Sequence, residues 1–286
     1  MTGAVRHLWT VAEPFHALTY FAPESHHAFE AAGWRGFWRG YFAGRSAPLG
    51  VVPAEVATAT FFGFHPDFVA RAIPSIWSQL GPADAIAARL EGVDRATVAI
   101  FGADLPGVDA TRAATDLRRA IDGTPVVGRT LFAANVGLSW PEAPHLALWH
   151  AVTLLREHRG DGHVSALVDA GLDACESHAL RISGDGLPLD SIQPYRGWTE
   201  PDWDDAAARL RNRGLVDDRG RTTAQGKATR AEVEACTDRL SAPLVAGIRD
   251  PDLVIDVLDA IAHRLREAGT IPYPNPIGVP PPVTPG

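Results

Sequence analysis

The stretch RGWTEPDWDDAAARLRNRGLVDDRGRTTAQGKATRAEVEACTDRL, residues 196–240, decides how this chain is read. It predicts a helix from about Thr199. Arg213-Gly214-Leu215-Val216 and Asp218-Arg219-Gly220 follow, and Thr222-Thr223-Ala224-Gln225-Gly226 opens a long helix. A short hairpin with a glycine turn, set between two helices, is the sequence shape of a winged helix. Working outward, the pattern continues upstream with a helix at 142–158, a glycine turn and a short helix at 163–170. The turn Gly171-Leu172-Asp173 then leads to a helix at 174–182.

The pieces Gly214-Leu215-Val216, Asp218-Arg219-Gly220-Arg221 and Thr223-Ala224-Gln225-Gly226 resemble the wing of MarR-type regulators. Longer phrases carry a second resemblance: GFWRGYFAGRSAPLG (36–50), LWHAVTLLREHRGDGHVSALVDAGLD (148–173) and RGW (196–198). They are similar to an actinobacterial family described as helix-turn-helix or MarR-like, over about residues 7–241. The resemblance implies a mostly α fold in which a helical N-terminal domain packs on a winged-helix domain with a small β-wing. It brings no reaction and no catalytic residue with it. Dimerisation through long helices follows from the MarR analogy alone.

Charge argues against the obvious function. In helix-turn-helix regulators the second helix enters the major groove, and its first residues meet base edges and phosphates. Here that end reads Glu200-Pro201-Asp202-Trp203-Asp204-Asp205, with four carboxylates in six positions. They suit a helix N-terminus but repel phosphate. The whole chain carries a net charge of -8, which disfavours a surface built to grip nucleic acid. DNA binding is therefore disfavoured, though a basic set at Arg209, Arg211, Arg213, Arg219 and Arg221 keeps a ligand-responsive regulator as the alternative. A third reading is an interaction module using the acidic segment 199–205.

The first half reads as helices: 5–21, two across 23–44, then 53–62, 65–80, 82–101 and 109–122. Gly36, Gly40 and Gly44 recur every four residues and predict a smooth helix face that another element can approach closely. The end, GTIPYPNPIGVPPPVTPG (269–286), has seven prolines in 18 residues and reads as an extended strap or a disordered tail. The divisions expected are a helical domain over 1–138, a winged-helix-like domain over 139–241, a helix over 242–268 and the tail over 269–286. No apolar run is long enough for a membrane span, and the first residues show no leader pattern. Cys175 and Cys236 have neither metal nor redox spacing. The expected compartment is the cytoplasm.

The candidate chemistry sits in LREHRGDGH (155–163). A histidine beside a carboxylate is the usual way to orient an imidazole and tune it for proton transfer. His163, Asp161, Glu157 and His158 are the candidate acid–base groups. Arg156 and Arg159 are candidates for holding an anionic group. The structural alternative is a capped turn, with Gly160 closing one helix, Asp161 starting the next and the arginines in salt bridges. His16, Tyr20, Trp38, Tyr41, Arg45 and Trp149 are candidates for an apolar pocket around a flat or acyl ligand. His158 to His163 matches no established metal-ligand spacing, and no phosphate-binding glycine loop, nucleophile elbow or CxxC is present. No cofactor and no metal is expected. The leading expectation is a small-molecule-binding protein, with cofactor-independent acid–base chemistry of an elimination or cyclisation type.

Overall fold

Helices form wherever the sequence supplies a cap and an apolar face. The computed structural model describes residues 2–102 and 107–279, so residues 280–286 of the proline-rich tail lie outside the described residues. In chain order the helices are α1 (Thr2–His16), α2 (Leu18–Phe21), α3 (Pro23–Ala32), α4 (Phe37–Ser46), α5 (Ala54–Phe61), α6 (Pro66–Ala70) and α7 (Pro82–Phe101). They continue with α8 (Val108–Asp122), α9 (Thr130–Val136), α10 (Pro144–Asp169), α11 (Ala174–Asp185), α12 (Glu200–Asn212), α13 (Ala224–Ala246) and α14 (Pro251–Glu267). Side-chain caps fix several starts. Asp173 accepts from the Glu176 N–H at α11, Thr199 from Asp202 at α12, and Thr223 from Gly226 at α13.

Two expectations are corrected. The β-wing is not a sheet: among the described residues it is one antiparallel bridge, Val216 to Thr222. Asp217 closes the turn at once, its carboxylate accepting from the N–H groups of Arg219 and Arg221. Thr223 is already the cap of α13, so no residues are left for another rung.

The second correction concerns 142–170. Gly160 ends nothing; α10 is one helix of 26 residues, about 39 Å long. Glycine inside a helix costs roughly 1 kcal/mol against alanine, and tertiary contacts override that preference here. Arg129 crosses α10 at Gly162, donating to the carbonyls of His158 at 2.6 Å and Leu240 at 2.8 Å. A Cβ on Gly162 would run into that guanidinium and come within 3.3 Å of Leu240. Asp161 caps no helix of its own. It reaches across to accept the Phe132 N–H at 3.0 Å, near the start of α9.

Three larger apolar clusters, among the described residues, hold most of the helices. The first joins α1, α8, the N-terminal half of α10 and α14 around Phe15, Leu117, Phe132, Trp149 and Leu258. The second is aromatic, with Phe29, Trp34, Phe42, Phe61 and Phe64 from α3 to the loop after α5. The third gathers Leu167, Leu180, Leu210 and Val233 from α10 to α13. Each such buried side chain contributes about 1.5–3 kcal/mol. The smooth face of α4 is used as expected at two of its three glycines. Phe29 lies across Gly40 and Gly44, where a Cβ would come within 2.9 and 2.5 Å of it. Gly36 instead precedes the helix at φ 85°.

The described part of the tail is a strap. Asn275 holds it, accepting from the N–H groups of Gly278 and Val279 and donating to the carbonyls of Pro272 and Val279. Ile271 and Val279 pack on Ala17. No helix among the described residues is long and apolar enough to cross a membrane.

Candidate functional site: an arginine-lined cavity

A cavity of about 230 Å³ opens between the aromatic cluster and the C-terminal half of α10. Tyr41 and Arg45 reach it from α4, and Arg156, Glu157, Asp161 and His163 from α10. His178 and Arg181 come from α11, Arg230 and Glu234 from α13, Arg196 from the segment before α12, and Ile277 from the strap.

The backbone is strained at its edge. Phe62, at the end of α5, is the one non-glycine residue with positive φ among the described residues, at 58° with ψ −59°. The Gly63 N–H donates to the Phe61 carbonyl at 2.6 Å. This is a γ-turn of the rare, strained hand, and such strain persists only where the surroundings enforce it. Here the Gly63 carbonyl accepts from His178 at 2.9 Å and from the Trp198 indole at 3.1 Å. The turn is thereby pinned to both α11 and the segment before α12.

The charges on the wall fall into two kinds. Arg156 donates to both Glu157 oxygens at 3.0 and 2.9 Å and to Glu13 at 3.4 Å. Burial would lower its pKa, but those carboxylates raise it well above the ordinary value. Arg181 and Arg230 share Asp185. Arg45 and Arg196 form no ion pair with a carboxylate among the described residues, although Glu157 favours the Arg45 charge from a distance. Arg45 donates to the Tyr41 hydroxyl at 2.9 Å and lies over Phe61. Arg196 donates to the Pro276 carbonyl and lies over Phe64. Burial and the neighbouring charges of Arg45, Arg181 and Arg156 push Arg196 down to about 10.

The protonation of His163 follows from its partner. The Thr237 hydroxyl donates to the Val233 carbonyl, so it accepts from His163 Nδ1–H at 3.0 Å and leaves the Nε2 lone pair unused. Burial pushes this imidazole down to about 4, so it is neutral at pH 7. His178 is also neutral: it donates through Nε2 to Gly63, and burial pushes it down to about 3. Burial holds the Asp161 carboxyl above its ordinary value despite the Phe132 N–H. The wall thus offers neutral bases, a carboxyl that is easier to protonate and guanidinium donors. Among the described residues no three histidine, cysteine or carboxylate side chains converge as metal ligands.

Of the residues singled out from the sequence, Arg156, Glu157, Asp161, His163, Tyr41 and Arg45 meet at this cavity. The others are elsewhere. His158 turns its ring to Phe132 at 4.9 Å. Arg159 pairs with Glu234 and Asp238 and lies over Trp9. His16 is buried between Thr153 and the Tyr20 hydroxyl and stacks on Trp149. Trp38 packs among Phe42, Phe64 and Phe68. Sequence reasoning missed Arg196, His178, Arg181, Arg230 and Glu234. Two signals pointed to them: Arg196 stands in the RGW phrase, and His178 and Arg181 share a helix face at i, i+3.

The outer side of the molecule carries the other motif. α11 and α12 pack on each other, but the segment joining them spans 186–199, against roughly three to four residues in an ordinary helix-turn-helix. Its basic residues are largely neutralised within the chain. Arg209 pairs with Asp173 and Glu176, Arg213 with Glu176, and Arg221 with Asp217. The paired helices α11 and α12, followed by α13, define a helix-turn-helix protein. A helix-turn-helix family profile matches residues 5–272, and the chain belongs to that family. No curated protein and no solved structure matches it.

Proposed function

We propose that this protein binds a small organic molecule in the cavity, and that its MarR-like, winged-helix-derived half serves as scaffold rather than as a reader of DNA. One observation carries the reading. The segment that replaces the short helix-turn-helix turn sends Arg196 into a cavity already lined by Arg156, Asp161 and His163. In this reading a unit over about 1–138 and a unit over 139–241 supply opposite walls. His163 Nε2 is the general base that takes a proton from the substrate, and Asp161, entering as the carboxylic acid, gives its own proton to the departing group or to the atom that ring closure leaves negative; exchange with solvent then restores both, in cofactor-independent elimination or cyclisation chemistry.

The second reading, a regulator, is favoured by the family match itself. A titration with fluorescent fragments from around the protein's own gene separates the two, at low and moderate salt. No binding at low salt, where phosphate attraction is strongest, supports the scaffold reading. Tight, sequence-selective binding that Arg219→Ala and Arg221→Ala weaken, with a smaller salt slope, overturns it.

A further inference from the structure

We infer that the ligand is an organic oxyanion, a carboxylate or a phosphate monoester, whose charged group lies between the guanidinium groups of Arg45 and Arg196. This rests on the reading of the cavity as a ligand site. It moves the anion site away from Arg156 and Arg159, each of which already forms ion pairs with two carboxylates.

The argument begins with unused donors. Arg196 is 7% exposed, and its Nε is buried with no hydrogen-bond partner. The Nε of Arg45 is in the same state. Their partners are neutral: a phenol hydroxyl for Arg45 and a carbonyl for Arg196. A buried cation without a counter-charge is among the costliest groups a fold can hold. The rings beneath them, Phe61 at 4.5 Å from Arg45 and Phe64 at 4.8 Å from Arg196, offset part of that cost by cation–π attraction.

No carboxylate on the wall forms an ion pair with either guanidinium. Glu157 is paired with Arg156 and favours the Arg45 charge only from a distance, Asp161 accepts the Phe132 N–H, and Glu234 faces Arg6 and Arg159. The backbone is shaped around the pair. The γ-turn at Phe62 sets Phe61 and Phe64 on either side of it. Gly197, at φ 77°, leaves room for Phe68 where any Cβ would collide with its ring. Leu131, Leu167, Leu172 and Ile277 add apolar surface to a wall with many polar groups, and suit a compact hydrocarbon body attached to the anion.

The test uses the full chain and three probes of one shape: 1-naphthoate, 1-naphthyl phosphate and the neutral 1-naphthamide. At millimolar concentration at least one of the two anions is expected to raise Tm by several degrees, and the amide is not. Which anion does so identifies the source as carboxylate or phosphate ester. Arg196→Met is expected to raise the Tm of the unliganded protein, because a buried cation without an ion-pair partner is removed. Arg45→Met, at a half-buried position where Glu157 favours the charge from a distance, is expected to leave it nearly unchanged. Each is also expected to weaken the effective anion at least tenfold by calorimetric titration. A purely structural arginine gives the opposite result, a lower Tm and an unchanged Kd, and that outcome overturns the inference. So does a naphthamide shift as large as the anions', which leaves the small-molecule reading standing. No shift from any probe also overturns it, and the DNA titration then judges the wider reading independently.

Discussion

Arginine is used in two opposite ways around α10. Towards α1 and α13, Arg6 and Arg159 are laced to Glu234 and Asp238 at 2.8 to 3.5 Å. Arg156 joins Glu13 to Glu157 beside them. Within the cavity, Arg45 and Arg196 meet rings, a phenol and a carbonyl. The first set ties helices together, and its charges are spent within the fold. The second set is held in place by aromatic stacking and keeps its charge for something else. The same residue type around one helix thus marks architecture in one case and, under the proposal above, a recognition surface in the other.

The sharpest way to break this comparison is Arg156→Met. It strands Glu157 and Glu13, whose side chains are 4% and 5% exposed. A loss of about 3–5 kcal/mol in urea unfolding is expected, opposite in sign to the effect at Arg196. If both variants lose stability alike, the two classes are one.

A smaller effect tests an intermediate case, Arg129, whose partners are carbonyls but whose role is structural. Gly162→Ala displaces its guanidinium from His158 and Leu240, and should cost about 1–3 kcal/mol. Gly160→Ala meets Glu157 and Arg156 only at 3.7 and 3.9 Å. It should stabilise the same helix by about 0.5–1 kcal/mol. Thermal melts of the pair measure the difference, and equal effects would show that Arg129 holds nothing.

The smallest effect lies at His163, on the border between the two sets. Its folded pKa is pushed down to about 4 by burial, against about 6.5 in an unfolded chain. The unfolded state therefore binds the extra proton first. Stability from this group is present above pH 6.5 and is lost as pH falls towards 4. His163→Asn should flatten the stability profile in that window. The change should be less than the ~1.4 kcal/mol per pH unit of one fully buried site, because about a third of the side chain, 35%, reaches solvent or cavity. The slope that persists is shared by His178 and His150, each pushed down to about 3 by burial, by His158, pushed down to about 4, and by His16, also lowered by burial. An unchanged slope would place the titration elsewhere.

Much of the architecture was legible. Thr199 with Asp202, and Thr223 with Gly226, announce their helices by local hydrogen bonding, and the glycine spacing of α4 announces the approach of Phe29. Gly160-Asp161-Gly162 misleads because its local preference is for a turn. What makes it helix is Arg129, about thirty residues away, whose crossing only the folded chain displays. The wing misleads in the other direction: its residues match, but Asp217 closes the turn too early for a ladder. The cavity was legible where one helix supplies it, from Arg156 to His163. It was not where α11, α13 and the 186–199 segment must converge, since no sequence period links Arg196 to Arg45.

The uninterrupted α10 has a consequence for cooperativity. Its N-terminal half gives Leu148, Trp149 and Val152 to one apolar cluster, and its C-terminal half gives Ala166 and Leu167 to another. Neither cluster can come apart without stripping one end of a rod that the other still grips. A break at Gly160 would have let the two halves melt as separate foldons. By running through, α10 makes the loss of either a threat to both.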